Sequence, residues 1–174
     1  FEHLESHFDE EIMLFDDNII FAQNFFHASD KMHYYPNSGV SSLGHAIPAA
    51  IGARLTQQTP TFAILGDGGF QMCCMEIMTA VNYQLPITII LINNSTMGLI
   101  RKNQFQQYQS RYIDCDFINP DFEALSRSFG MNYYCVQEES DLDGLFSSMD
   151  FKHEINLIDI LLDKDTFPTY VSRR

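Results

Sequence analysis

An α/β fold is predicted for this 174-residue chain: a doubly wound, mainly parallel sheet with helices on both faces. Three features predict it. Short apolar runs recur, among them Thr61-Phe62-Ala63-Ile64-Leu65 and Ile87-Thr88-Ile89-Ile90-Leu91-Ile92, of a length suited to buried strands. The runs are apolar almost throughout rather than at alternate positions, as in strands covered on both faces. Segments with helical spacing separate them, and strand–helix alternation builds parallel sheets.

The elements follow in order. Residues 12–15 form a short apolar strand, after which Asp17 or Asn18 is placed to cap a helix running towards Ser29. A helix of small residues is expected over 43–55, with Pro48 near its first turn, where proline is tolerated. The strand ending at Leu65 precedes a helix over 70–84, whose Phe70, Cys73, Cys74, Ile77, Met78 and Val81 share one face. Pro86 then leads into the strand ending at Ile92. Residues 101–116 carry no clear apolar period and are expected to form a mobile segment near the site. Asn119-Pro120 has the form of an N-cap and first helical residue, with Gly130 as the stop. Strands over 133–136 and 155–162 flank a short helix to Met149 that Ser140 is placed to cap.

Composition narrows the function. A net charge of -13 lacks the basic footprint that a nucleic-acid partner requires. No stretch of about 18 apolar residues is present, so no membrane span is expected. Nor does the chain open on a signal peptide, and it is expected to be cytoplasmic. Cys73, Cys74, Cys115 and Cys135 show no CxxC spacing and read as reduced core thiols. The chain reads as one domain over 1–174; because it starts at Phe1, it is expected to be a fragment or half of a longer enzyme.

Two turns carry the chemistry. Gly66-Asp67-Gly68-Gly69 ends one apolar run, and Asn93-Asn94 ends the next. Each alone reads as an ordinary tight turn. Adjacent parallel strands would deliver both to one sheet edge, where open α/β folds bind ligands. A carboxylate and a carboxamide converging beside exposed backbone N–H groups suit a hard cation holding a diphosphate. Gly68 and Gly69 would let the backbone and a helix start approach phosphate oxygens. Asp67 would give the metal one carboxylate oxygen, Asn94 a neutral oxygen and Thr96 a backbone carbonyl, while Gly98 lets the chain pass close to the phosphates. The dinucleotide fingerprint fails, because Gln71 stands where its third glycine belongs, and no phosphate-loop Lys follows.

With these turns, residues 38–53 (SGVSSLGHAIPAAIGA) and Asn119-Pro120-Asp121-Phe122 resemble, in order and spacing, the C-terminal diphosphate-binding domain of thiamine-diphosphate (ThDP) enzymes, acetolactate-synthase-like family. The resemblance covers essentially the whole chain. It implies ThDP and Mg²⁺ as cofactors, with Asp67, Asn94 and Thr96 on the metal. It implies cofactor contacts from Ser41, Ser42, Leu43, Gly66, Gly68, Gly69, Met97, Gly98 and Leu99. Among these, the Ser41 carbonyl would accept from the aminopyrimidine and Leu43 would prop the cofactor into its bent shape. His45 reads either as site-facing or as a helix-surface residue. The family's activating glutamate belongs to a separate pyrimidine-binding domain, so no catalytic acid or base is assigned here. The implied activity is a 2-oxoacid decarboxylase or carboligase, a lyase or transferase that is inactive as this chain alone. It would work as a homo-oligomer with the pyrimidine-binding domain of the same or another chain. A non-catalytic or split-subunit partner is the alternative. Acetolactate synthases carry a tryptophan that helps select the second 2-oxoacid; Asn103 stands there, and Met97 stands where Gln is frequent.

Overall fold

A computed structural model describes residues 1–167. Its six strands are β1 (Ile12–Asp16), β2 (Met32–Pro36), β3 (Thr61–Gly66), β4 (Thr88–Asn93), β5 (Asn132–Val136) and β6 (Asn156–Leu161). They form one sheet in the order β2-β1-β3-β4-β6-β5, parallel at every pairing. The predicted doubly wound fold is what forms. Apolar residues alternate between two cores. Ala63 and Leu65 of β3 face α3 (Ala46–Arg54), α4 (Asp67–Cys73) and α5 (Ile77–Tyr83). Phe62 and Ile64 face the layer holding α1 (Glu2–His7), α2 (Ile20–Phe25) and α8 (Leu145–Ser148). α6 (Gly98–Gln107) follows β4, and α7 (Phe122–Phe129) packs in the first layer.

The topology places the site. From β1 the chain moves outwards to β2, returns to β3 on the other side of β1, and continues to β4. Loops leaving the ends of β1 and β3 therefore part in opposite directions, and open sheets bind ligands in such a crevice. Asp17, Asp67 and Asn94 each lie just beyond the end of a strand there.

Several elements differ from expectation. α1 and the edge strand β2 carry no clear sequence signal; β2 reads Met-His-Tyr-Tyr-Pro and is buried only at its first residue. Asp16, not Asp17 or Asn18, accepts the Ile19 N–H at 2.7 Å at the start of α2, and that helix stops at Phe25. The helix expected over 43–55 spans Ala46–Arg54. The helix expected over 70–84 begins at Asp67 and is interrupted by a 3-10 turn at Cys74–Glu76. Residues 101–107 of the segment expected to be mobile lie in α6, which buries Arg101 and Lys102 rather than an apolar stripe. Glu138, not Ser140, caps the 3-10 turn preceding α8. The thiols are free, but Cys135 is exposed rather than in the core. Among the described residues no helix is long and apolar enough to cross a membrane.

Asn119 does not cap α7. Asp121 does, accepting the Ala124 N–H at 2.9 Å, and Gly130 closes the helix at φ 74°. Asp121→Ala is expected to cost about 1 kcal/mol, the usual value of such a cap, read as a fall in denaturation midpoint at unchanged slope.

Candidate functional site

Register brings the two turns together. Gly66 pairs with Ile92 across β3 and β4, so Asp67 and Asn94 emerge side by side. Asp67 is 1% exposed, and both carboxylate oxygens are engaged. Oδ2 accepts from Ser95 N at 2.6 Å, Asn119 Nδ2 at 2.8 Å and Asn94 N at 3.1 Å. Among the described residues Oδ1 accepts only the Gly68 N–H, at 3.0 Å. Burial pushes the Asp67 carboxyl above its ordinary range, against the four hydrogen bonds that favour its ionised form.

Asn94 and Thr96 sit on a tight turn. Asn94 Oδ1 accepts the Thr96 N–H at 3.3 Å. Thr96 bridges antiparallel to Asp116, and the flanking bonds run from Met97 N to Cys115 O and from Phe117 N to Ser95 O. The Thr96 carbonyl therefore faces away from that partner. Its hydroxyl donates to Cys115 O at 2.9 Å.

A cavity of about 280 Å³ opens over these turns. Ser41, Leu43, Gly66, Asp67, Gly68, Gly69, Asn94, Thr96, Met97, Gly98 and Leu99 all line it. Ser42 does not; its carbonyl instead accepts from Asn37 Nδ2. His45 is exposed and outside the lining, and Asn103 on α6 is half-buried and also outside it. The glycines are sterically required. A Cβ on Gly68 would meet Met97 Sδ at 2.6 Å, and one on Gly69 would overlap Asp17 Oδ2. Both glycines therefore let Met97 and Asp17 pack directly against the backbone at the cavity wall.

Residues that sequence reasoning did not place here complete the site. Asp17, fully buried, accepts from Gly44 N and His45 N at 2.8 Å each. It thereby ties the Ser41–Gly44 turn, where Ser41 (φ 54°) and Gly44 (φ 83°) are left-handed, to the strand ends. Lys102, Lys164, Thr166 and Phe167 also line the cavity. Arg101 pins this side. Its guanidinium contacts both Asp116 carboxylate oxygens at 3.1 Å, reaches Asp165 Oδ1 at 2.6 Å and lies 3.8 Å from the Tyr112 ring centroid. The Lys164 ammonium, 2.9 Å away, and the Arg101 guanidinium hold the Asp116 carboxyl down at about 2.

The donor set fits a hard divalent cation on a diphosphate. It comprises one buried carboxylate whose Oδ1 accepts a single donor, a carboxamide oxygen and a backbone carbonyl, beside glycine backbone at a helix start.

A family model described as the thiamine pyrophosphate enzyme, C-terminal TPP binding domain, matches residues 18–160. The chain is similar to the acetolactate synthase isozyme 2 large subunit of Escherichia coli K12, with 31% identity over 130 residues, 74% of this chain and 24% of that protein. It is similar to the acetolactate synthase large subunit of Lactococcus lactis, with 32% identity over 143 residues, 75% of this chain and 24% of that protein. Against acetolactate synthase of Mycobacterium leprae the identity is 33% over 144 residues, 78% of this chain and 23% of that protein. The chain spans about a quarter of the length of these relatives.

Proposed function

Because this chain belongs to the thiamine pyrophosphate enzymes as their C-terminal TPP-binding domain, we propose that it holds the ThDP diphosphate through Mg²⁺ for a 2-oxoacid decarboxylase or carboligase. The observation that carries this reading is Asp67. It is a buried carboxylate at the meeting of two strand ends, with one oxygen saturated by three donors and the other left for a ligand. Asp67 Oδ1, Asn94 Oδ1 and the Thr96 carbonyl would hold the cation. The Gly69 N–H would face the phosphates, while the Gly68 N–H stays on Asp67 Oδ1. Leu43 would support the cofactor from the apolar side, and the Ser41 carbonyl would meet its aminopyrimidine. Bound ThDP supplies the electron sink for decarboxylation; the protein supplies position, charge and exclusion of water.

The similarity to acetolactate synthases supports a carboligase parent enzyme. The pyrimidine-binding partner would come from another domain or chain, and this chain contributes the cofactor clamp rather than an acid or base.

Calorimetric titration of the complete protein with ThDP tests the reading. Binding is expected with Mg²⁺ present and lost in EDTA. Absence of ThDP binding in Mg²⁺, or binding indifferent to EDTA, would reject it.

A further inference from the structure

The side-chain amide of Asn119 lies outside the proposed cation ligands, yet it is the only side chain bonded to Asp67 among the described residues. Its Nδ2 donates to Asp67 Oδ2 and to Asn93 Oδ1, both at 2.8 Å, with Ser95 Oγ at 3.3 Å. Its Oδ1 accepts from Gln71 Nε2 at 2.9 Å. The chain of bonds continues behind it: Asn93 Nδ2 donates to Asp159 Oδ1 at 2.9 Å, and the Tyr133 hydroxyl donates to Asp159 Oδ2 at 2.8 Å. Ionised carboxylates only accept, so Asp67 and Asp159 at the two ends fix which way both amides point. Asn119 cannot turn its oxygen to Asp67 without facing one acceptor with another.

We propose that Asn119 is a positioning residue that restricts Asp67 to single-oxygen ligation and thereby favours Mg²⁺ over Ca²⁺ at this site. The proposal rests on the cation clamp described above. With Ser95 N and Asn94 N, the amide saturates Oδ2 and leaves Oδ1 as the coordinating atom. Mg²⁺ accepts single carboxylate oxygens in a tight octahedron, whereas Ca²⁺ takes more ligands and tolerates a carboxylate gripping with both oxygens. Freeing Oδ2 therefore helps the larger ion more. The chain from Asn119 to Tyr133 anchors the clamp across β4, β6 and β5, which suits an outer partner that must hold a ligand in one orientation.

The experiment titrates the ThDP complex of the complete protein with MgCl₂ and with CaCl₂ by calorimetry. Asn119→Ala is expected to weaken Mg²⁺ by about 10–100-fold, the usual effect of losing an outer-shell partner, and Ca²⁺ by less, so the affinity ratio falls. Asn119→Asp, of the same shape but with no donor for Asp67, should lower the ratio too. Gln71→Ala removes only the bond to the amide oxygen and should keep the wild-type ratio. Equal weakening of both ions, an unchanged ratio in either Asn119 variant, or a fall in the ratio in Gln71→Ala would overturn the role. A wild-type ThDP complex that takes up no Mg²⁺ would sink the clamp and this role together. Mg²⁺ binding untouched in the Asn119 variants would sink the role alone.

Discussion

Asp67→Asn is expected to abolish Mg²⁺-dependent ThDP binding while the metal-free fold remains as stable as the wild type. The two carboxylate oxygens are not equivalent. Three donors converge on Oδ2, so the new amide oxygen settles there and keeps those bonds. The NH₂ group then occupies the Oδ1 position, giving up the Gly68 N–H bond and facing the cation with a donor and no net charge. A first ligand is lost, so affinity should fall by more than the roughly 10–100-fold that outer partners cost. Stability moves the other way. The folded Asp67 pKa is raised from 3.8, chiefly by burial. A carboxyl so raised adds stability below its unfolded value and loses it as pH rises through the folded one. Burial therefore disfavours the charge of this carboxyl in the metal-free wild type, and the amide carries none. Thermal unfolding in EDTA at pH 7 should show no lower midpoint for the variant. Mg²⁺ with ThDP should raise the wild-type midpoint only, since only a state that binds ligand is stabilised by it. Retained Mg²⁺-dependent binding in Asp67→Asn would remove Asp67 from the metal.

In the sequence Asp67 reads locally as a tight-turn residue, and its burial is visible only in the fold. Sequence located the turn because β3 and β4 are continuous apolar runs, and their ends mark the sheet edge. The helix start at Asp67 and the burial of its carboxylate follow from partners further along the chain. Asn119, 52 residues on, resembles a helix cap locally, and only the fold turns it towards Asp67. Asp17 likewise looked like a cap for the next helix, but the return of the chain after β2 carries Gly44 and His45 onto it. β2 escaped notice because an edge strand need not be apolar on both faces, and its Pro36 argues locally against a strand. α6 was hidden by chemistry rather than topology: its buried residues are Arg101 and Lys102. Periodicity registers apolar burial and is blind to a cation buried against Asp116 and Asp165.

Gly69→Ala should destabilise the fold by several kcal/mol, whereas Gly52→Ala, on the exposed side of α3, should be neutral or stabilising. A methyl at Gly69 overlaps Asp17 Oδ2, with Gly44 N 3.9 Å from the same point. That carboxylate is no flexible tip. It is fully buried and held by Gly44 N and His45 N at 2.8 Å each. Making room means surrendering those bonds, and hydrogen bonds to a charged group contribute about 1.5–3 kcal/mol each. A loss of about 3–6 kcal/mol would follow, against a total of about 5–15 kcal/mol for an ordinary domain. At Gly52 a Cβ meets nothing within 4 Å, and alanine in a helix is favoured by up to about 1 kcal/mol. Denaturant unfolding of both variants makes the comparison. Trimming the obstacle sharpens it: in Gly69→Ala with Asp17→Ala, the methyl no longer meets a carboxylate. The pair should then cost less than the two changes added separately, the signature of contacting residues. Because Asp17 holds the Ser41–Gly44 turn, that double variant should be about as stable as Asp17→Ala alone and should not recover ThDP affinity. Gly69→Ala matching Gly52→Ala in stability, or strict additivity of the pair, would mean that the cradle yields and that the glycine is not required by its contact with Asp17.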